Sequence, residues 1–458
     1  MRGRQLTGII LASALVTLDG TATTIALPAI GRDLSASVLR LQWIANAPLL
    51  VLASLLLPAG MVADRYGRVR IIQFGLLAFV AGSFTCAVAS SDKSLIAAKL
   101  AQGVGAAFVL PAALAALRSG YAEAAERARI LGVWAAWTGV ASAAGPLLAG
   151  ALVEVWSWRP VFLPSAVAGL IALVLLQREA PPERTVCEVR VPLVATIALM
   201  ISLGAVAYLL TLGFRVALHG VWVALPIGLS VAGGIVLARN RHRHVLLPSE
   251  LVRARNCLPA NAATFALYFG MFGLSFLIVL YVQQVLRYSA MWAAVLLVPM
   301  SIMLFFAERL GRLTAFTGTR WLIVAGTLSA AVAIGWLGAT GHPLPFWPQM
   351  IVGTALFGLG ISLAISALTH AAVAAVPDKC AGAASGLNHA VVRAAGLSAV
   401  ALLGSIAAPG VTDVVSADGV QRALLICSGI VAAGGILGSA RLRDDEPGGL
   451  TKSLDTAR

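Results

Sequence analysis

Fourteen apolar stretches of about twenty residues follow one another along this chain, and nothing constrains its fold more. They run near 8–30, 44–63, 71–90, 95–117, 129–152, 159–177, 192–213, 217–238, 258–282, 289–307, 321–340, 347–370, 384–408 and 422–440, parted by charged residues, Pro or Gly. A helix crossing the hydrocarbon core of a bilayer takes about 20 apolar residues. It is one of two structures that satisfy every backbone hydrogen bond there. Each stretch therefore predicts one transmembrane helix. The 458 residues are 59% apolar and 11% charged, against roughly 25% charged in an ordinary soluble domain. So little charge cannot clothe a soluble surface, which excludes soluble enzymes, nucleic-acid binders and disordered chains. The sequence predicts an all-α polytopic membrane protein of 14 spans, with no room for a sizeable soluble domain.

The net charge of +14 has to be read by location, because cytoplasmic loops of membrane proteins collect Lys and Arg. With the N-terminus inside, the inner segments hold 24 of the 33 basic residues and the outer segments 7, while Lys99 and Arg393 fall within spans. Both termini are therefore expected in the cytoplasm and the chain in the cytoplasmic membrane. The basic tract from Arg239 to His244 becomes a loop beside anionic lipid, not a nucleic-acid site. His242 and His244 stand without further ligands, and the five cysteines (Cys86, Cys187, Cys257, Cys380, Cys427) have no metal or redox spacing, so no metal is expected. Met1-Arg2-Gly3-Arg4 imitates a secretory signal. The apolar run then continues past Asp19 without a convincing cleavage site, which predicts a retained first span. Trp43, Trp156, Trp158, Trp292 and Trp347 fall near predicted interfaces and are expected as belt anchors. Glu154 and Glu308 stand at span ends, where solvated roles are expected.

Asp19 is the most informative charge. An unpaired carboxylate at mid-span costs at least ~2.5 kcal/mol, so such a residue faces a bundle interior or a water cavity and tends to be functional. It can take up and release protons, and Thr23, four residues on, shares its face. The competing expectation is a structural carboxylate satisfied by neighbouring donors. Arg393 lies deep in its own span, with His389 one turn before it. Lys99 is about five residues into its span, about 7.5 Å, within snorkelling reach of the outer surface. Asn46, Gln102, Asn261, Gln283, Gln284 and Asn388 are further polar residues that could line a pathway. No phosphate-binding loop of the Gly-x-x-x-x-Gly-Lys type is present, so ATP is not the expected energy source. No nucleophile, acid–base or zinc constellation suggests an enzyme.

A weak internal repeat connects the two halves. Gly60 and Gly67 bracket the loop after the second span, Gly-Met-Val-Ala-Asp-Arg-Tyr-Gly-Arg-Val-Arg over 60–70, and Gly311 and Gly318 bracket a loop after the tenth at the same separation. Duplicated halves are common in secondary transporters. Gly60, Asp64, Arg65, Gly67 and Arg68 complete the pattern Gly-x-x-x-Asp-Arg-x-Gly-Arg, and here the chain resembles the major facilitator superfamily. That resemblance implies a cytoplasmic gating latch built on Asp64 and its arginines. The second copy carries Ala315 where the acid would stand.

Further motifs are similar to the fourteen-helix drug:proton antiporters. These are Leu18-Asp19-Gly20-Thr21 leading to Ala26-Leu27-Pro28, Leu41-Gln42-Trp43, Trp158-Arg159 through Phe162 and Pro164, and Ala384-Ser385-Gly386-Leu387-Asn388 with Arg393. Gly139, Gly145, Pro146 and Gly150 resemble the antiporter motif of the fifth helix. Small residues there allow close helix packing and Pro146 removes a backbone hydrogen bond, as a moving interface between bundles requires. Lys99 occupies the Arg position of the fourth-helix pattern Arg-x-x-Gln-Gly-x-Gly, with Gln102, Gly103 and Gly105 in place.

The resemblance implies a major facilitator superfamily fold of two six-helix bundles plus two extra central helices. Residues 1–180 would form the first bundle, 181–257 the linker with its two helices, 258–440 the second bundle and 441–458 a polar cytoplasmic tail. It implies a proton-coupled antiporter exporting small organic, drug-like compounds by alternating access, without a cofactor and working as a monomer among membrane lipids. Asp19, Lys99 and Arg393 are the proton-coupling candidates. Thr23, Asn46, Gln102, Asn388 and His389 are candidates for the cavity wall. Two alternatives share the shell: a proton-coupled symporter importing a nutrient, which the fifth-helix motif argues against, and a non-transporting sensor, which usually carries an appended signalling domain.

Overall fold

The computed structural model describes residues 3–121, 123–177, 193–212, 221–240, 256–311, 318–339, 346–374, 381–409 and 414–442, and among them all regular structure is helical. The fourteen apolar stretches become fourteen principal helices. These are α1 (Gly3–Asp33), α2 (Val38–Tyr66), α3 (Arg68–Ala87), α4 (Asp92–Ser119), α5 (Ala124–Val155), α6 (Leu163–Gln177), α7 (Leu193–Leu212) and α8 (Val221–Asn240), followed by α9 (Cys257–Leu280), α10 (Ala290–Leu304), α11 (Thr319–Ala339), α12 (Phe346–Ala374), α13 (Ala381–Ala407) and α14 (Ala417–Arg441). Twelve are long and apolar enough to cross a membrane. The described apolar parts of the other two, Ala224–Val236 in α8 and Ala290–Leu304 in α10, are shorter. The expected fourteen thus appear as helices, and among the described residues twelve qualify as spans by length and composition. α10 stops at Leu304, short of the predicted 307, and a short helix, Ala307–Gly311, follows. The basic tract beyond Asn240 and the tail from residue 443 lie outside the described residues.

Local sequence sets the helix ends. Ser91 and Ser94 form a reciprocal capping box at the start of α4, and Ser416 accepts from the Gly419 N–H at the start of α14. Such caps satisfy donors that the helix itself leaves open. Gly67 separates α2 from α3 at φ 98°, a conformation that a side chain disfavours, while its N–H donates to the Ala63 carbonyl at 3.0 Å. Gly318, its counterpart in the repeat, has φ 80°. The two glycines that the spacing paired thus both adopt a positive φ.

In the first half α3 packs on α4, α4 on α2, and α1 on α5 and α6; in the second, α11 packs on α12 and α14, and α9 on α13 and α14. The halves meet along α2–α13 and α5–α10. α7 and α8 pair with each other, and α7 leans on both α2 and α13, where Leu50, Ala207 and Leu397 share a small core. With the α1 N-terminus marking the near face, the far halves of α1 (Ala22–Ile30) and α2 (Val38–Ile44) merge with the second-half helices into one continuous core. The near halves (Ile9–Val16 and Leu52–Ala63) belong to a separate core confined to the first half.

Polar contacts reinforce the far-face junction. The Gln42 amide on α2 donates to the carbonyls of Val400 and Ala401 on α13 at 2.7 and 2.8 Å. In return, Gln283 after α9 donates to the Ile25 carbonyl of α1 at 3.0 Å. Trp158 is not the interfacial anchor expected of it. It is buried, with its indole N–H donating to Asp33 at 2.9 Å, and Arg159 holds the same carboxylate at 2.7 Å. Trp156, two residues earlier, is exposed.

Candidate buried charge network in the first bundle

Asp19 and Lys99 lie 80 residues apart in sequence and meet inside the first bundle. Lys99 Nζ donates to Asp19 Oδ2 at 2.9 Å, to Thr23 Oγ1 at 2.8 Å and to Gln102 Oε1 at 2.7 Å. Those three bonds use every proton an ammonium has. Gln102 Nε2 spends its two protons on Asp19 Oδ1 at 2.9 Å and Ser83 Oγ at 2.8 Å. Ser165 adds a longer bond to Asp19 Oδ1 at 3.3 Å, and the Phe162 ring covers the ammonium at 4.7 Å. Asp19, Lys99 and Gln102 close a three-residue ring supplied by α1 and α4, and α3 and α6 each contribute one serine. Lys99 is 0% exposed and Asp19 4%.

Of the two readings open to Lys99, burial excludes snorkelling: its ammonium turns inward to an acid on the neighbouring helix. A compact ammonium with three rotatable donors suits three acceptors on different sides better than a planar guanidinium would, so Lys in the family's Arg position is accommodated by the shape of this site. Asp19 is mid-span as expected, but its charge is compensated. Removing one member of a buried pair typically costs 3–5 kcal/mol by stranding the other. The site can therefore store or release a proton only by rearranging its bonds. Ser83 and Ser165, which sequence reasoning did not single out, complete the shell; a serine in an apolar helix carries no signal of what it faces.

The fifth helix touches this site from behind. A Cβ on Gly145 would fall against Thr21 Oγ1 and within 2.6 Å of the Leu18 carbonyl, so α5 lies against the backbone that carries Asp19. One and a half turns further, a Cβ on Gly150 would be 2.9 Å from Met291 Cα on α10. Gly139 meets the Phe305 ring at an ordinary 3.5 Å. Small residues on two faces of α5, with Pro146 inside the helix, thus contact the acidic segment and the opposite bundle.

In the loop after α2, Arg68 donates to Asp64 Oδ1 through Nε and Nη2 at 3.0 and 2.9 Å, an exposed pair one turn apart. Arg65 stacks on Tyr66 at 5.3 Å. A Cβ on Gly60 would meet only Pro111, at 3.8 Å. Most of the loop repeated in the second half lies outside the described residues.

Arg393 does not join Asp19 and Lys99, because it belongs to α13 in the other bundle. Asn388 on the same helix is buried and donates to Asn261 Oδ1 and Thr264 Oγ1, both at 3.3 Å. Thr23 and Gln102 belong to the charge network. Asn46 is buried with its Oδ1 lacking a partner among the described residues. Of the five polar residues considered for a cavity wall, His389 alone is exposed. Among the described residues there is no group of three or more His, Cys, Asp or Glu placed to hold a metal.

Comparison with known proteins places the architecture. The family model described as Major Facilitator Superfamily matches residues 9–396. The puromycin resistance protein pur8 of Streptomyces alboniger is 32% identical over 419 residues, covering 90% of this chain and 82% of its own. The methylenomycin A resistance protein of Bacillus subtilis (strain 168) is 28% identical over 411 residues, covering 88% and 84%. Among solved structures, a bacterial homolog of the human lysosomal transporter Spinster, inward-facing and unoccupied, superposes with a TM-score of 0.70 at 18% identity, covering 96% of this chain and 98% of the other.

Proposed function

The chain belongs to the major facilitator superfamily, and from that premise we propose that it is a proton-coupled antiporter that exports small, drug-like organic compounds. It is a multi-pass membrane protein. Relatives named for resistance to puromycin and to methylenomycin A support export as the direction of transport. The bias of basic residues supports a cytoplasmic near face, in the cytoplasmic membrane. The far-face contacts of Gln42 and Gln283 then close the outer gate. The proton gradient is the energy source, without cofactor or catalytic chemistry, and the working unit is a monomer.

The buried Asp19–Lys99 pair carries the proposal. A proton delivered to Asp19 removes the counter-charge of Lys99 and breaks the ring that fastens α1 to α4. Lys99 can answer by releasing its own proton, which an arginine could not do. Either event alters the α1 segment Leu18–Ala22, against which Gly145 packs, and α5 relays the change through Gly150 to α10. Proton occupancy thereby biases the rocking of one bundle on the other, as alternating access requires. The Asp64–Arg68 latch holds the cytoplasmic end of α2 to α3 through the cycle.

The test is efflux in inside-out vesicles energised by an imposed pH gradient. Wild-type protein should drive accumulation of substrate, and Asp19→Asn should abolish it while leaving counterflow of substrate without a gradient. Gradient-driven transport that survives Asp19→Asn would remove Asp19 from coupling.

A further inference from the structure

The charge ledger at the membrane midplane does not balance. Asp19 is the one acid in the middle of a described span, every other described acid sitting near a helix end or in a loop, and its charge is consumed by Lys99. Arg393 has no ion pair or hydrogen bond among the described residues, although it lies within electrostatic range of Tyr268 on α9. His389, one turn earlier, is exposed and lies within electrostatic range of Arg393 and of Arg118 on α4.

The neighbours of α13 fix where these two side chains point. At about 100° per residue, Gly386, Leu397 and Gly404 share the stripe that meets α2, touching Leu57, Leu50 and Gln42. Asn388 and Gly396 mark the side that meets α9, through Asn261 and Phe272. His389 and Arg393 fall in the sector between those stripes. Because α2 and α9 belong to different bundles, that sector opens on the gap between them.

The antiparallel register sets the depth. Gly386 lies opposite Leu57, and Val400 and Ala401 opposite Gln42, so Arg393 is level with Leu50. Leu50 is about 18 Å along α2 from its far end, and Asp19 about 21 Å along α1 from its own. Both charges therefore sit near mid-membrane. On α1, Gly20 is exposed with open space around it, and Thr17 and Thr24 are half-buried on the same face. Those groups are neutral.

A guanidinium that never loses its charge, held at mid-membrane with no acid to pair with, is a recognition site for an anion. Resting on the export reading above, we propose that Arg393, supported by His389, binds the carboxylate or other anionic group of the transported compound. The preferred substrates are then organic anions with an apolar body, which departs from the neutral or cationic compounds that a mid-span acid would select. Asp19 stays with the proton and Arg393 takes the cargo, so each bundle handles one of the two exchanged species.

The test is a susceptibility panel in a host lacking its own exporters, with fusidate and cephalothin as anions and ethidium and tetraphenylphosphonium as cations. Wild-type protein should protect against the anions. Arg393→Gln should lose that protection with a roughly ten- to hundredfold weaker apparent affinity for fusidate in vesicles, the range expected for a charge-assisted contact. Arg393→Lys should keep protection with reduced preference for the anions, because a point charge replaces a bidentate fork. Protection against the anions that Arg393→Gln leaves intact, or wild-type protection against the cations alone, would overturn the proposal while export stood. Should Arg393→Gln fail to accumulate, an anion-to-cation ratio unchanged in Arg393→Lys would overturn it equally. Protection against nothing in the panel would remove the export reading and this inference together.

Discussion

Taking one charge out of the buried ring should be worse than taking out both. In Asp19→Asn the shape is kept, but an amide N–H or a neutral oxygen now meets an ammonium that is 0% exposed. Lys99 keeps Thr23 and Gln102 as acceptors and loses its only anion. Lys99→Met makes the complementary error, leaving the Asp19 carboxylate with Gln102 and Ser165 as donors and no cation. Each single change should cost about 3–5 kcal/mol. The double variant should cost less than either single change, because neither charge is stranded; the coupling should therefore reach at least about 3 kcal/mol, the upper end of the range seen for residues sharing one network. Thermal unfolding of the purified protein in detergent, run as a double-mutant cycle, reads this directly. The wild type should melt highest, the single variants lowest and the double variant between. Losses that simply add would mean that the two groups do not act as a pair, and the coupling mechanism would fall with them.

Three further outcomes follow from the geometry. Gln42→Leu deletes two hydrogen bonds across the far-face junction, worth about 0.5–1.5 kcal/mol each; distances between spin labels on α2 and α13 should show the far-open population rising about tenfold, and an unchanged distribution would show that Gln42 does not hold this gate. Gly145→Ala forces a Cβ to within 2.6 Å of the Leu18 carbonyl, so a backbone shift costing about 1–3 kcal/mol should lower both thermal stability and gradient-driven efflux, whereas Gly139→Ala, which meets Phe305 at ordinary distance, should do neither. Gly67→Ala places a side chain at φ 98°, at a cost of order 1–3 kcal/mol; a melting temperature equal to that of the wild type would show that the α2–α3 turn does not require the glycine.

What could be read from the sequence depended on whether its cause was local. Hydrophobic run length placed fourteen helices, since each needs only its own residues, yet it could not say that α10 would stop at Leu304. The turn at Gly67 was legible because a positive φ is a property of one residue. Asp19 stood out because a mid-span acid is costly wherever its helix packs. Lys99 stood out as a candidate, but not as the partner of Asp19. Lys99 near a span end is equally compatible with snorkelling and with pairing, and only the packing of α1 against α4 decides between them. Ser83 and Ser165 were invisible for the same reason. Gln42 was noticed as part of a motif, while its role across the junction needed the position of α13. Arg393 was grouped with the proton-handling residues because it too is a charge within a span, and its place in the other bundle could come only from the neighbours of each stripe of α13.

The central claim is that transport of the organic compound and movement of the proton are one process joined through Asp19. The most direct measurement reconstitutes the protein in liposomes with a pH-sensitive dye inside and imposes a gradient of substrate with no initial pH difference. Obligate exchange predicts that substrate leaving the liposome draws protons in, acidifying the lumen, that reversing the substrate gradient reverses the sign, and that Asp19→Asn leaves the dye silent. Substrate flux without any change in lumen pH in the wild-type protein, or acidification that persists in Asp19→Asn, would contradict it.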